Sequence, residues 1–495
     1  MRASRRDAGD AIGARVREAA LRRASTIRGG VAIDDDAYAA LSAFVVMEWD
    51  FDDARKASPT RARCVSLATG TKCVGFNARA PDGGGVADAH AEVLARRAFA
   101  RWLHVEYAAY ADGKASVFER DDGLGDVHGG CALKVPVESM VRLRRGVEVH
   151  VYCSQSPCGD ASVFELRRAT NAGDCDFGDI RGGRTASTSD VERKKRAKTT
   201  GLAGGGAGTT GAKIMSVETR AGGGGGADPE RDRATKEIGA IRWKPGRGDP
   251  SFCLSCSDKL CRWSMFGLQG RLMRLVARDP ITPSSVCVST PRVREEDEDE
   301  AKRVVESALK RAIVDRVERG ENGDANGIDA EIEDASLMCV AVAPADRTNL
   351  SSYEAVANGA AVAAPVSTVY IAPPTWAMDV EEDANELSRV ERILGACGYL
   401  QGSGKKSRAS GAGSSALSAR KMCESFDACV LLRLPSSVRD ALRLKTYAEV
   451  KSACAPRRSM SRAPSKRASN PIAERLAEPI PGKDKDSIES FVPFT

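Results

Sequence analysis

Between Glu92 and Leu103, apolar Val93, Leu94, Ala98, Phe99, Trp102 and Leu103 recur at helical spacing with Arg96, Arg97 and Arg101 between them. The pattern predicts a helix with His90 at its N-terminus. Val147, Val149 and Val151 alternate with Glu148, His150 and Tyr152, which predicts a strand running into the segment 154–160, so that Cys158 falls just past a strand end. A third junction follows the loop 255–259, where Leu260, Trp263, Met265, Leu268, Leu272 and Leu275 predict a helix entered near Cys256. Short strands are expected at 64–68 and 73–76 around Thr69-Gly70-Thr71, at 336–342 and at 368–371. Periodic apolar positions return at 419–434 and 437–451.

Between these elements the periodicity fails. Residues 201–226 contain eleven glycines and follow the basic run Arg193-Lys194-Lys195-Arg196-Ala197-Lys198. Six consecutive acids, Glu295 to Glu300, open a polar stretch, and residues 402–418 are rich in Ser, Gly and Lys. Disordered insertions are therefore expected at 183–238, 293–333 and 402–418, within one domain over 31–495 preceded by an N-terminal arm over 1–30. No period of 20 to 50 residues recurs, which leaves solenoids and propellers without support.

Apolar residues make up 42% and charged residues 29% of 495 positions, which excludes global disorder. The longest apolar stretch, 355–371, is broken by Asn358, Gly359 and Pro365, so a soluble protein with no membrane partner is expected. Lys plus Arg outnumber Asp plus Glu by 74 to 68, a bias compatible with a polyanionic partner but too small to establish one. Fifteen cysteines, an odd number at irregular spacing and without a secretory leader, point to reduced thiols in the nucleus or cytoplasm. The run 193–198 reads equally as a nuclear-localisation signal or a charged linker. Eight arginines against three acids in the first 30 residues make organelle targeting a minor reading beside an amphipathic helix over 11–21.

The three junctions present His90-Ala91-Glu92, Pro157-Cys158 and Cys256. One histidine and two cysteines form a proper ligand set for a catalytic zinc, with a fourth position left for water. Such an ion lowers the pKa of its water toward about 7, and a nearby carboxylate that is not a ligand, here Glu92, can then move protons. His-x-Glu with Pro-Cys is the pattern of the zinc nucleobase deaminases. The chain departs from it in one place: Ala161 stands where a second cysteine would close a Cys-x-x-Cys, so Cys256 must come from 98 residues downstream. Each residue also has a plainer role. His90 suits a helix cap, Glu92 a helix first turn, Arg96 and Arg97 a solvated face, and Cys153, Cys253 and Cys261 buried small hydrophobes.

Five ordered blocks weigh against those plainer roles: Thr69-Gly70-Thr71-Lys72-Cys73; Asp88-Ala89-His90-Ala91-Glu92 with Arg96-Arg97; Ser156-Pro157-Cys158-Gly159-Asp160; Lys244-Pro245-Gly246-Arg247-Gly248-Asp249; and Ser255-Cys256-Ser257-Asp258-Lys259 through Arg262-Trp263. Together they resemble the adenosine deaminase domain shared by RNA-editing adenosine deaminases and the tRNA adenosine deaminase. The resemblance implies an α/β, cytidine-deaminase-like fold with a central mixed sheet flanked by helices. It further implies zinc held by His90, Cys158 and Cys256, Glu92 as proton shuttle, and hydrolytic conversion of adenosine in RNA to inosine.

The Lys-Pro-Gly-Arg-Gly-Asp block is similar to the tRNA enzyme acting beside the anticodon of alanine tRNA. An arm of 30 residues also leaves no room for the N-terminal RNA-binding domains of double-stranded-RNA editors. The resemblance places Thr71 and Lys72 on the target nucleotide and Asp88 in a relay with Lys259 toward the zinc. It implies a buried inositol hexakisphosphate held by Arg96, Arg97, Lys259, Arg262, Trp263, Lys405, Lys406, Tyr447 and Lys451. The expected partner is tRNA, with no DNA. Editing of other structured or double-stranded RNA, and a non-catalytic RNA-binding relative, stand as the alternatives.

Overall fold

A computed structural model describes residues 5–27, 29–31, 33, 37–49, 59–121, 135–164, 213–214, 238–245, 251–277, 279–316, 337–345, 350–351, 362–378, 387–443 and 449. Its centre is a seven-stranded mixed sheet in the order Met338–Val342, Ser285–Ser289, Val147–Cys153, Leu41–Glu48, Arg61–Thr69, Val366–Ile371, Arg389–Leu394. The first three strands are mutually parallel, and every other neighbouring pair is antiparallel. The expected α/β architecture is therefore present.

Leu41–Glu48 occupies the middle of the sheet, yet its sequence offers no alternation, because seven of its eight residues are buried. A strand covered on both faces reads as a continuous apolar run rather than a period of two.

Strand pairing fixes what covers each face. Phe44 pairs with Ser66, Phe44 stacks on Phe99 at 5.1 Å, and Ser66 donates to the Ala95 carbonyl, so these two point at the helix Ala91–Ala111. The next residue along, Leu67, pairs with Tyr370, over whose ring the Arg23 guanidinium lies at 4.7 Å. Successive residues of a strand face opposite sides. The helix Arg5–Thr26 consequently covers the face opposite Ala91–Ala111, with Val16, Ala20 and Ala24 in the main core. The segment expected to be an N-terminal arm is thus a structural layer of the domain.

Two other expectations change. Inside 293–333 the acidic run becomes the start of a helix, Glu298–Lys310, which buries Ala301, Val305, Ala308 and Leu309. Carboxylates are favoured in a helix first turn, so a charge run that looks like a solvated linker instead stabilises the helix start. Residues 402–418 are also ordered: Lys405–Ala409 is helical, Ser415 and Leu417 are fully buried, and the Glu391 carboxylate accepts from the Ser415 hydroxyl and the Ala416 N–H. Small residues let this loop lie close against that buried carboxylate. The insertion expected at 183–238 lies outside the described residues except Lys213–Ile214, a strand paired with Arg242–Lys244, and residue 238 itself. The helix expected through Leu275 ends at Phe266, because Gly267 adopts φ +84° and turns the chain. Among the described residues no helix is long and apolar enough to cross a membrane.

Candidate active site

The site forms where three chain segments meet beside the sheet. The first is a short hairpin of Thr71–Cys73 with Asp88–His90, whose second strand leads directly into Ala91–Ala111. His90 occupies the N-cap position, but its ring caps nothing. Its Nδ1 lies 2.8 Å from Asp88 Oδ1, which also accepts the His90 backbone N–H, and Nε2 is left as the other ring nitrogen. Glu92 follows in the first turn and is 5% exposed.

The second segment leaves Val147–Cys153 and turns at Gly159, whose φ of +112° is outside the range most residues adopt. A Cβ at Gly159 would sit 2.2 Å from the Ser255 hydroxyl, so this glycine lets the Cys158 loop approach the third segment. That segment is the helix Cys256–Phe266, capped by Ser255. Ser257 joins the two loops: its N–H and hydroxyl donate to the Cys158 carbonyl, both at 3.0 Å, and its hydroxyl accepts the Ala161 N–H. The Cys256 N–H meets Cys158 Sγ at 3.4 Å. Two cysteines 98 positions apart are thereby adjacent.

The electrostatics suit a metal cation. A hydrogen bond from the Cys256 thiol holds Cys158 well below the ordinary thiol range, despite its burial, with Lys244 and His90 adding to the effect. Burial and the same pairing push Cys256 well above that range. Burial and Lys244 oppose a proton on His90, but Asp88 and Cys158 outweigh them and raise the ring to about 9. Burial, and after it the charge of Cys158, push the Glu92 carboxyl upward. An imidazole oriented by a carboxylate, two thiols and a buried acid beside them match the donor set and outer shell of a zinc site.

Lys244, which opens the Lys-Pro-Gly-Arg-Gly-Asp block, was assigned no site role in the sequence. It lies on Arg242–Lys244, 1% exposed, with Nζ 2.8 Å from Asp88 Oδ2 and 3.0 Å from Cys256 Sγ. Lys259 binds the same carboxylate oxygen. Burial opposes ionisation of Asp88, yet Lys244, Lys259 and His90 hold it well below the usual carboxylate range. Asp88 and Lys259, the residues expected in a relay, are thus paired, and Lys244 bridges from Asp88 to Cys256.

Of the residues expected on a target nucleotide, Thr71 pairs across the hairpin with His90, and its buried Oγ1 has no hydrogen-bond partner among the described residues. Lys72 is half-buried and packs against Gly395. The expected polyphosphate residues divide. The Arg96 guanidinium lies 5.7 Å over the Trp263 ring and reaches Gly270. Burial, then Arg271 and Arg274, lower Arg262 to about 10, which places three guanidinium groups in one neighbourhood. Arg271 and Arg274 were not anticipated. Arg97 donates to the Leu417 carbonyl at 2.6 Å, anchoring the ordered loop. Lys405 and Lys406 are exposed rather than in a buried cage, because the helix that carries them buries no residue. Tyr447 and Lys451 lie outside the described residues. One further cluster was missed: Cys73, Asp88 and Cys253 bring ligand atoms within 4.8 Å of one another.

Residues 66–328 match the family model described as the adenosine-deaminase (editase) domain. The chain is 32% identical over 222 residues to tRNA-specific adenosine deaminase 1 of Drosophila melanogaster, covering 45% of this chain and 43% of that protein. It is 28% identical over 290 residues to the Homo sapiens protein of the same name, covering 45% and 54%. Double-stranded RNA-specific adenosine deaminase of Mus musculus is 28% identical over 212 residues, covering 42% of this chain and 14% of that protein. The chain spans about half the length of the tRNA-specific relatives it matches.

Proposed function

Because the chain belongs to the adenosine-deaminase (editase) domain family, we propose that it converts adenosine in tRNA to inosine by hydrolysis, acting next to the anticodon of alanine tRNA. The observation that carries this reading is the convergence of His90, Cys158 and Cys256 around the buried Glu92, from segments up to 166 positions apart in the chain.

His90, Cys158 and Cys256 would hold zinc, which when bound supplies Lewis-acid activation of a water nucleophile near neutral pH. Asp88 keeps Nδ1 of His90 occupied and so presents Nε2. Lys244 would balance the negative charge that Cys256 carries as a ligand. Glu92 accepts a proton from the attacking water and delivers it to the exocyclic amine, which leaves as ammonia. In this reading the hydroxyl of Thr71, whose strand pairs with that of His90, hydrogen-bonds a ribose 2′-OH, and Lys72 beside it meets a phosphate. An anticodon-loop base is already unpaired, so it enters such a pocket without the few kcal/mol needed to extrude a base from a duplex. The names of the tRNA-specific relatives support the same substrate.

We also infer that inositol hexakisphosphate sits among Arg96, Lys259, Arg262 and Trp263, with Arg271 and Arg274 alongside. Mutual repulsion among close guanidinium groups is relieved by a polyanion, and planar guanidinium forks suit phosphate. Added inositol hexakisphosphate should raise the thermal unfolding midpoint of ligand-stripped protein, and Arg262→Ala should abolish that rise; equal stabilisation of both proteins would move the ligand elsewhere.

The deciding experiment is inosine formation in unmodified alanine tRNA, with a long RNA duplex and Glu92→Ala protein alongside. Inosine in the tRNA alone, absent with the variant, is expected. Inosine only in the duplex would transfer the chain to the double-stranded-RNA editors, and full activity of Glu92→Ala would overturn the mechanism.

A further inference from the structure

Two cysteines of the further cluster, Cys73 and Cys253, have no part in the reaction above. Cys73 lies on the Thr71–Cys73 strand and Cys253 on the short strand Cys253–Leu254, and both are free thiols buried to the same degree, 7% and 8% exposed. Their sulfur atoms lie within 4.8 Å of each other. The Arg79 guanidinium approaches Cys253 Sγ to 3.1 Å and is itself fixed by the Ser251 carbonyl. Cys73 Sγ points toward the Ala87 carbonyl, 3.5 Å away. One sulfur therefore faces a cation and the other a carbonyl oxygen.

A bound metal is the competing use of this cluster, and its surroundings argue against it. Among the described residues three donors converge, and the third, Asp88, already accepts from Lys244 and Lys259 on one oxygen and from His90 on the other. A divalent cation would have to displace lysine ammonium groups and sit beside Arg79. A thiolate gains from the same charges.

We propose that Cys73 and Cys253 are a redox-active dithiol, with Cys253 the attacking sulfur and Cys73 the resolving one, closed to a disulfide by hydrogen peroxide. The Cys253 thiolate attacks the peroxide O–O bond, giving a sulfenic acid and hydroxide. The Cys73 thiol then attacks the sulfenic sulfur, the new S–S bond forms, and water leaves. Two electrons pass from the two sulfurs to one peroxide, which ends as two waters once the hydroxide takes up a proton. Closure brings the sulfurs to about 2.05 Å. The Cys73 hydrogen bond, working against burial and aided by Lys259 and Arg79, lowers Cys253 to about 6, while Cys73 is held well above the ordinary range. The lowered pKa suits Cys253 to the attacking role. The bridge would tie the hairpin that presents His90 to the strand that leads into Cys256.

The test treats zinc-loaded full-length protein with stoichiometric peroxide and maps non-reduced peptides by mass spectrometry. A Cys73–Cys253 linked peptide that dithiothreitol reverses is expected. Cys73→Ser should leave Cys253 as a sulfenic acid that a dimedone probe captures, and Cys253→Ser should leave Cys73 unlabelled. Between pH 7 and 9 the cross-linking rate should stay nearly flat, whereas a thiol of ordinary pKa, about 8.5, would gain roughly 20-fold in thiolate. Absence of the linked peptide from wild-type protein while other cysteines oxidise would overturn the proposal. So would a second zinc equivalent per chain that both serine variants remove, since that makes the cluster a metal site. Neither readout requires deaminase activity, so the outcome is independent of the proposed reaction.

Discussion

Replacing Lys244 by methionine removes one buried charge while keeping the length and bulk of the side chain. The ammonium lies 2.8 Å from Asp88 and 3.0 Å from Cys256 Sγ, and it is 1% exposed. Each hydrogen bond to a charged group is worth about 1.5–3 kcal/mol. The two do not simply add, because the variant also escapes the cost of burying the lysine. Asp88 retains Lys259 and His90, so its carboxylate is not stranded. The loss therefore falls mainly on Cys256, whose sulfur loses a neighbouring positive charge. A change of this kind behind a metal ligand lowers metal affinity by about 10- to 100-fold, which corresponds to about 1.4–2.8 kcal/mol. Competition against a chromophoric chelator gives the zinc Kd of both proteins, with far-UV circular dichroism confirming that the variant is folded. A folded Lys244→Met protein whose zinc Kd stays within about twofold of wild type would refute the reasoning, since Lys244 would then be a buried ion pair with no hold on the site.

Three further outcomes follow from the same geometry. Asp258, fully buried, accepts from the Arg242 N–H at 2.9 Å and Arg316 at 2.7 Å; Asp258→Ala removes one partner of a buried ion pair and should cost about 3–5 kcal/mol, read from the urea midpoint, with a loss below about 1 kcal/mol contradicting it. Gly159→Ala meets both a φ of +112° and Ser255 Oγ at 2.2 Å, so it should lose at least about 1–3 kcal/mol from backbone strain alone, and an unchanged denaturation midpoint would show that the loop can move aside. Burial, with Arg101 and Arg96, depresses His104 to about 3. Between about pH 6.5 and 3 the unfolded chain then binds a proton the folded chain refuses, so stability is full above about 6.5 and declines as pH falls through that window. His104→Asn should flatten this decline by up to about 1.4 kcal/mol per pH unit, and an unaltered slope would count against it.

What the chain declares by itself is local. His90 and Glu92 were legible because a strand-to-helix junction and a helical period place them within one turn, and the Val147–Cys153 alternation located Cys158 past a strand end. Cys256 was marked by its loop-to-helix junction, but only resemblance to a family gave that reading weight, since nothing in a spacing of 98 residues indicates contact. Covering both faces of Leu41–Glu48 erased its alternation, and the acids of 295–300 concealed the apolar stripe of the helix they begin. Tertiary structure alone decided the roles of Lys244 and Cys253. They face each other across a strand pair, Lys244 opposite Cys253, which brings one to Asp88 and Cys256 and the other to Cys73 and Arg79. Periodicity reports which way a residue faces along its own element, whereas charge pairing and thiol proximity depend on which elements pack together, and that is set by long-range burial.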